Sequence, residues 1–181
     1  APNSVKANLL LAKLQRQRGY YERAIKTLEK LYKKYSNNGE VLYQLSLSYL
    51  DAYRISDNKK LLVAVMNTNF SKSYYYASSL GRYYSKIGNF LLGVKWFKKS
   101  ISLNPLFHND YYELAKLYIH HKQYKLARVQ LGEAISLAPT NLDYKIAYSK
   151  IYYEIDGTDA AIGYLRDILK SYPQNAKILG E

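Results

Sequence analysis

Histidine, cysteine, carboxylate and tyrosine side chains are the groups through which this sequence could do chemistry. The chain has no cysteine, which excludes disulfides, thiol catalysis and thiolate metal sites. Of its three histidines, His120 and His121 are adjacent near a predicted helix end and so point in different directions, and His108 stands apart from them. Because a metal site needs ligands that converge, we expect no metal and no cofactor.

Sequence motifs of the common enzyme classes are missing as well. There is no Gly-rich phosphate loop, no dinucleotide fingerprint, no HExxH and no Gly-x-Ser-x-Gly. The Asp-Gly of EIDGTDAA lacks the further acidic ligands of a calcium loop and instead matches a turn between helices. Since the carboxylates are also few and scattered, the sequence predicts that the protein is not an enzyme.

Tyrosine is the remaining candidate, with 22 residues in a chain of 181. Five of them fall in the stretch SKSYYYASSLGRYY, residues 71–84. Such a cluster could be a stacking platform for a ligand, or it could be part of a helical core. An aromatic stripe at helical spacing is usually core, so the helices that carry these rings must decide.

The net charge indicates which kinds of partner the chain favours. The chain carries +13, and residues 1–90 hold 15 basic and 5 acidic side chains. This excess favours acidic partners, anionic surfaces or nucleic acid without choosing among them. No apolar run approaches the roughly 18 residues of a membrane helix, so we expect no membrane span.

The elements that position these side chains repeat along the chain. Pro105, Pro139 and Pro173 are each 34 residues apart. The same step links three more columns: Leu80, Leu114 and Tyr148; Tyr84, Tyr118 and Tyr152; Gly93, Ala127 and Ala161. Each unit has two stretches of helical apolar spacing divided by a polar break, and its proline ends the second stretch. The sequence therefore predicts pairs of helices.

These columns resemble the motif of the tetratricopeptide repeat (TPR) family. That motif has a bulky residue, Leu and a small residue, Tyr, a small residue opening the second helix, an aromatic four residues later, and a closing Pro. Three units match it: Ala77, Leu80-Gly81, Tyr84, Gly93, Phe97 and Pro105; Tyr111, Leu114-Ala115, Tyr118, Ala127, Leu131 and Pro139; Tyr148-Ser149, Tyr152, Ala161, Leu165 and Pro173. The resemblance implies an all-α, right-handed α-solenoid of about five helix-turn-helix repeats.

A single solenoid domain is expected over residues 1–181, with repeats at about 5–38, 39–73, 74–107, 108–141 and 142–175. The first departs from the motif at Asn8, Gln15 and Ser36, and the last has Lys145 at the bulky position. Repeat 39–73 is degenerate: its second half, DAYRISDNKKLLVAVMNTNF, lacks the small-residue and proline signals and indicates an altered turn. The tail AKILGE resembles the start of another helix, where a solenoid normally ends in a polar cap, and this predicts a fragment of a longer protein.

The register implied by the resemblance also assigns the tyrosines. Tyr84 falls on a column that packs within each repeat, with Tyr49, Tyr118 and Tyr152. Tyr76 and Tyr83 fall where a side chain packs against the preceding repeat, and within the cluster only Tyr75 points into the concave groove. Most of the cluster is therefore predicted to be structural.

The concave groove is the predicted partner-binding site. Its residues are basic or tyrosine: Lys13, Arg82, Lys116, Lys150, Tyr43, Tyr75, Tyr112 and Tyr153. Such a face suits an extended partner segment that carries carboxylates and a few apolar anchors. The alternative is that these are only the solvated faces of a Lys-rich protein.

One narrower partner is disfavoured. TPR domains that hold a chaperone's C-terminal carboxylate use a Lys and two Asn side chains at set positions of adjacent repeats. Here the positions carry Tyr112, Lys116 and Ala147, or Ser78, Arg82 and Glu113. We therefore do not expect this chain to bind a chaperone tail.

The leading hypothesis is a non-catalytic scaffold within a multi-protein assembly. By analogy with bacterial members of the family, this could be an envelope, pilus, flagellar or secretion assembly, and the missing cysteine favours periplasm or envelope over cytoplasm.

The alternative is a basic nucleic-acid-binding helical repeat protein. Against it, RNA readers need exposed stacking aromatics, and Lys30, Lys33 and Lys34 end a helix whose dipole they complement. Docking on an anionic membrane surface through the basic first half is a third possibility.

Overall fold

The computed structural model describes residues 4–172, and every regular element in that range is helical. Its ten α-helices are α1 (Val5–Gln17), α2 (Tyr21–Lys34), α3 (Gly39–Asp51), α4 (Ile55–Val65), α5 (Tyr74–Lys86), α6 (Phe90–Leu103), α7 (His108–His120), α8 (Tyr124–Leu137), α9 (Leu142–Asp156) and α10 (Thr158–Ser171). A short 3₁₀ helix, Asn69–Lys72, follows α4. The prediction of an all-α helical-repeat solenoid fold is confirmed. Pro173 and the tail AKILGE lie outside the described residues.

Two compact units divide the chain between Asn104 and Pro105. In the first unit the helices pack in pairs, α1 on α2, α3 on α4 and α5 on α6, and α3 also packs on α1, α2 and α5. In the second unit α7 packs on α8, α9 on α10, and α8 on α9. The prediction of one continuous domain stays a prediction.

A left-handed residue makes the turn inside most helix pairs. Gly19 and Gly88 hold it with φ of +78° each, and the non-glycine residues Tyr53 and Lys122 hold it with φ of +57° and +55°. All four stand at the same position of their repeats. Tyr53 therefore adopts the conformation that glycine adopts in the repeats on either side, and the turn between α3 and α4 is not the altered one.

Repeat 39–73 departs from the others after its second helix instead. Helix α4 has 11 residues where α2 and α6 have 14, and the 3₁₀ helix occupies the positions that link one repeat to the next elsewhere. Phe70 of that 3₁₀ helix stands in the proline column and is buried in the core of the first unit. Its ring meets Tyr76 edge-on, with centroids 5.7 Å apart. A buried ring therefore ends this repeat where proline ends the next two.

The core of the first unit shows why small residues recur. A Cβ at Gly81 of α5 would lie 2.8 Å from the ring of Phe97 on α6, which is fully buried. Only glycine lets the two helices approach that closely.

The prediction that Tyr76 packs on the preceding repeat is confirmed, because Tyr76 is buried and its hydroxyl donates to the Leu62 carbonyl at 3.3 Å. Tyr83 packs, partly buried, against the same core.

Candidate functional site

Three of the predicted groove residues meet in the first unit. Tyr43 of α3 lies 5.3 Å from Tyr75 of α5 between ring centroids, at an interplanar angle of 38°. The Arg82 guanidinium carbon lies 5.9 Å from the centroid of Tyr43. Tyr74 stacks on Tyr75 at 4.2 Å. We call Tyr43, Tyr74, Tyr75 and Arg82 the first tyrosine cluster; the packing of α3 on α5 brings its members together.

Burial is uneven within the first tyrosine cluster. Tyr43 is only 3% exposed, so it supports the ring of Tyr75 and leaves little surface for a partner. Tyr75 is half-buried. Burial, and then a hydrogen bond with Tyr74, raise the pKa of the Tyr75 phenol, so its hydroxyl stays protonated at physiological pH. The cluster therefore offers a neutral aromatic surface beside one guanidinium.

A second cluster forms in the other unit from Tyr112 and Lys116 of α7 and Tyr144 of α9. The Lys116 ammonium lies 4.8 Å from the centroid of Tyr112, whose ring lies 4.7 Å from that of Tyr144. Burial, and then the charge of Glu113, raise the pKa of the Tyr112 phenol. Lys116 is also paired with Glu113 at 2.7 Å. We call Tyr112, Lys116 and Tyr144 the second tyrosine cluster, and Glu113 balances part of its charge.

Tyr144 is the member of this cluster that sequence reasoning missed. It is 2% exposed, and its hydroxyl donates to Asn109 Oδ1 at 2.9 Å and lies 2.7 Å from His108 Nδ1. Tyr144 occupies the repeat position of Tyr76, which the register had already assigned to packing on the preceding repeat. The repeat position of Tyr144 therefore already indicated that its side chain packs on the preceding repeat.

The remaining predicted site residues are free of such clusters. Lys13 of α1 and Lys150 and Tyr153 of α9 are exposed, Tyr153 by 58%. Within residues 4–172 their side chains make no hydrogen bond, ion pair or ring contact. Tyr153 follows Lys150 by three residues and shares its helix face. It lies about 13 Å along α9 from Tyr144, too far to join the second tyrosine cluster.

Basic side chains over tyrosine rings recur throughout both units. A cation within about 6 Å of a ring centroid is attracted to the ring face. Outside the two clusters this holds for Arg54 over Tyr49 at 5.1 Å, Lys86 over Tyr53 at 3.8 Å, Arg128 over Tyr152 at 4.9 Å and Lys145 over Tyr172 at 4.9 Å. Many of the tyrosine rings and some of the basic side chains therefore stabilise the fold through these pairs.

The packing column assigned to tyrosine is seen in both units. Tyr49 and Tyr118 are buried, and Tyr84 and Tyr152 are half-buried. The Tyr49 hydroxyl donates to Glu29 Oε1 at 2.7 Å, which ties one repeat to the one before it. Packing within a repeat, as predicted for this column, is seen where the ring of Tyr152 lies 5.0 Å from that of Tyr164.

Residues 4–172 hold no candidate metal centre and no helix suited to a membrane. No three His, Cys, Asp or Glu side chains there come together in a way that could hold a metal ion. None of the helices there has the length and apolarity to span a bilayer.

Models of the tetratricopeptide repeat family match residues 6–38, 74–105, 111–141 and 144–175. The matched ranges leave out residues 39–73, the stretch predicted to be degenerate. No curated protein sequence matches the chain.

Solved structures of similar fold cover nearly the whole chain. TTC0263, a thermophilic TPR protein of Thermus thermophilus, has a TM-score of 0.80 at 16% identity, over 97% of this chain and 95% of its own. MamA has a TM-score of 0.65 at 22% identity, over 95% and 93%. YrrB, described as a TPR protein with an unusual peptide-binding site, has a TM-score of 0.61 at 14% identity, over 95% and 88%. At these identities the likeness shows the fold.

Proposed function

The chain belongs to the tetratricopeptide repeat family, and from that premise we propose that it binds an extended, acidic or mixed segment of a protein partner through the first helix of each repeat. TPR proteins are generally non-catalytic scaffolds for protein–protein interaction. The observation that carries the finer proposal is the pairing of a cation with a tyrosine ring in both tyrosine clusters. These clusters contain Arg82 and Lys116, two of the four basic residues predicted to line the groove.

The clusters are suited to carboxylate-bearing segments for a physical reason. Tyr43 and Tyr144 are covered by neighbouring helices and fix the rings packed on them, so little side-chain entropy is lost when a partner binds. Tyrosine supplies contact area, and the arginine fork can hold a carboxylate through two hydrogen bonds. Each unit supplies a tyrosine surface beside one cation, Arg82 in the first and Lys116 in the second.

Exposed residues extend this surface. Lys13 in the first unit, and Lys150 with Tyr153 in the second, have no hydrogen bond, ion pair or ring contact within residues 4–172 that a partner would have to displace. The net charge of +13 would draw an acidic segment towards the chain. The peptide-binding site named for YrrB supports a peptide as the class of ligand.

A multi-protein assembly is the proposed setting. By analogy with bacterial members of the family, it would be an envelope, pilus, flagellar or secretion assembly, with the chain in the periplasm or at the envelope.

A pulldown from nuclease-treated native lysate tests the groove. The test variant carries Arg82→Glu, Lys116→Glu and Lys150→Glu. A matched control, with the same charge change on exposed lysines of second helices, carries Lys98→Glu, Lys125→Glu and Lys170→Glu. Circular dichroism first establishes that both variants are folded. We expect a protein partner to be captured by the wild type and the control and lost by the groove variant.

Two other outcomes would reject the proposal. Capture that survives the groove variant would place the partner elsewhere on the chain. Nucleic acid that co-purifies before nuclease treatment, binds with a steep salt dependence and is lost in the groove variant would favour the alternative, a basic nucleic-acid-binding repeat protein.

A further inference from the structure

The net positive charge of the chain lies entirely in its first unit. Residues 1–104 hold 18 basic and 5 acidic side chains, whereas residues 105–181 hold nine of each. Within the first unit, the second helices α2, α4 and α6 carry ten basic and three acidic side chains, a net charge of +7. More than half of the excess therefore lies on helices that do not carry the predicted groove.

The lysines of these helices share one exposed layer. Helices α1, α3 and α5 pack on one another in a row, and α2, α4 and α6 pack on that row. On each second helix the lysines fall within about 100° of arc, on the side opposite its buried residues. All nine are exposed: Lys26, Lys30, Lys33, Lys34, Lys59, Lys60, Lys95, Lys98 and Lys99. We call them the lysine face.

The acidic residues of the same helices are engaged elsewhere. Glu22 and Asp57 both pair with Arg54, at 3.2 and 2.8 Å, and Glu29 accepts a hydrogen bond from Tyr49. Helix α6 has no acidic residue at all. The carboxylates of this layer therefore neutralise little of the lysine face.

Most of the lysine face has no role in the fold. Lys60 lies 3.8 Å from Asp57, and the ammonium of Lys34 lies 5.4 Å from the ring of Tyr35. The other seven lysines make no hydrogen bond, ion pair or ring contact with any part of the chain that the structure describes. Lys59 and Lys95 also lie outside the last turn of their helices, where the helix dipole would favour a cation.

Apolar side chains are exposed among these lysines. Val63 and Met66 of α4 are 56% and 49% exposed, and Leu91 of α6 is 77% exposed. By helical spacing, Val63 and Met66 lie within about 40° of Lys59, and Leu91 lies within about 40° of Lys95. A ligand of the lysine face therefore meets positive charge and apolar surface together.

We propose that the lysine face binds the surface of a membrane that contains anionic lipids. Each lysine near such a surface adds electrostatic attraction to the headgroups. Val63, Met66 and Leu91 then enter the boundary between headgroups and acyl chains, as the apolar side chains of interfacial helices do. This inference does not depend on the proposed groove, which lies on the first helices.

Two other anionic partners fit the observations less well. A nucleic acid duplex would set Val63, Met66 and Leu91 against phosphates, and α4 and α6 expose no aromatic ring on which single-stranded bases could stack. A carboxylate-bearing protein segment is held best by the planar fork of arginine, whereas lysine is a point charge. Both partners serve as alternative outcomes of the test.

Vesicle co-sedimentation tests the proposal, with phosphatidylcholine vesicles that contain or lack phosphatidylglycerol. The test variant carries Lys30→Glu, Lys59→Glu and Lys95→Glu, one change on each second helix of the first unit. A matched control makes the same charge change at exposed residues of α8 and α10, with Lys125→Glu, Arg166→Glu and Lys170→Glu. Circular dichroism verifies that both variants are folded.

We expect the wild type and the control to bind the vesicles with phosphatidylglycerol at least about tenfold more tightly than those without it. The Lys30→Glu, Lys59→Glu, Lys95→Glu variant should lose about tenfold or more of that affinity. Equal affinity for the two kinds of vesicle, or equal affinity of this variant and the wild type, would overturn the proposal.

A second variant separates a membrane from other polyanions at constant charge. Met66→Ser with Leu91→Ser should weaken vesicle binding about threefold or more, because these side chains no longer enter the lipid. The control Leu126→Ser with Val129→Ser, at exposed apolar residues of α8, should bind like the wild type. Unchanged binding by the Met66→Ser, Leu91→Ser variant would overturn the insertion of these side chains.

Duplex DNA and polyglutamate are the competing probes. If the wild type binds either of them, loses it in the Lys30→Glu, Lys59→Glu, Lys95→Glu variant and shows no preference for phosphatidylglycerol, the lysine face would be assigned to nucleic acid or to an acidic protein. Either result would overturn the membrane surface as the ligand. The pulldown control of the groove changes only Lys98 of the nine lysines, so the two tests can fail separately.

Discussion

The side-chain amide of Asn58 donates to both oxygens of Ser46, at 2.9 Å to the carbonyl and 2.7 Å to the hydroxyl. The other four repeats carry alanine or glycine at the position of Asn58: Ala24, Gly93, Ala127 and Ala161. Asn58 is fully buried between α3 and α4, and its Oδ1 has no hydrogen-bond partner among residues 4–172. A polar bridge therefore replaces close packing in the repeat that the family matches omit.

Replacing Asn58 should destabilise the first unit. Asn58→Ala removes both hydrogen bonds and leaves the Ser46 oxygens buried, which we expect to cost about 1–3 kcal/mol in the free energy of unfolding. Asn58→Asp should cost more at neutral pH because it buries a carboxylate. Burial raises the folded-state pKa of that carboxyl, so stability should recover as the pH falls through it. Urea unfolding at pH 7 and pH 5 measures both effects; a neutral Asn58→Ala would show that the bridge stabilises nothing.

Gly81 should not tolerate a methyl group. A Cβ there would lie 2.8 Å from the buried ring of Phe97, so Gly81→Ala forces α5 and α6 apart and should cost about 1–3 kcal/mol. Gly132 of α8 is the control, because a Cβ there meets nothing within 4 Å. Gly132→Ala should stabilise the protein by about 0.5–1 kcal/mol through helix propensity. Thermal unfolding of the two variants should shift in opposite directions, and a shared direction would contradict the close approach.

Lys122 holds a left-handed conformation, with φ of +55°, that glycine holds in two other repeats. A side chain there costs about 1–2 kcal/mol, whereas glycine adds about 0.5–1 kcal/mol of unfolded-state entropy. Lys122→Gly should therefore be neutral or stabilising, and the β-branched Lys122→Val should be destabilising. Denaturant midpoints measure the order, and a Gly variant less stable than the Val variant would reverse the argument.

Alkaline unfolding should report the half-buried phenol of Tyr164. Burial first, and then the neighbouring Tyr148 and Tyr152, raise the pKa of Tyr164 from 10.0 to about 12. The folded state thus holds the proton more tightly than the unfolded state. The contribution of the Tyr164 phenol to the free energy of unfolding is complete below pH 10 and is lost as the pH rises from 10 to about 12.

Spectrophotometric titration of the wild type and Tyr164→Phe gives the pKa by difference. The variant, which keeps the ring and its packing, should lose stability less steeply over this pH range. Identical alkaline slopes for the two proteins would mean that Tyr164 titrates normally.

The sequence alone determined the fold class, the helix pairs and the family. Helix ends, close helix contacts and buried helix faces require prolines, small residues and apolar residues at fixed positions. Because the repeats have a fixed period, each of these sequence signals occurs several times. The packing role of Tyr76 could be predicted from the sequence for the same reason. The groove residues were assigned by register, and their role in binding stays a proposal.

Only the tertiary structure decided what a single column cannot encode. That Tyr43 is covered, that Tyr144 joins Tyr112 and that Asn58 bridges to Ser46 all depend on side chains on different helices. The conformation of Tyr53 was hidden too, because the residue type disfavours it and the surrounding helices impose it. Local propensity specifies helices, whereas burial and pairing depend on contacts that form only when the helices pack.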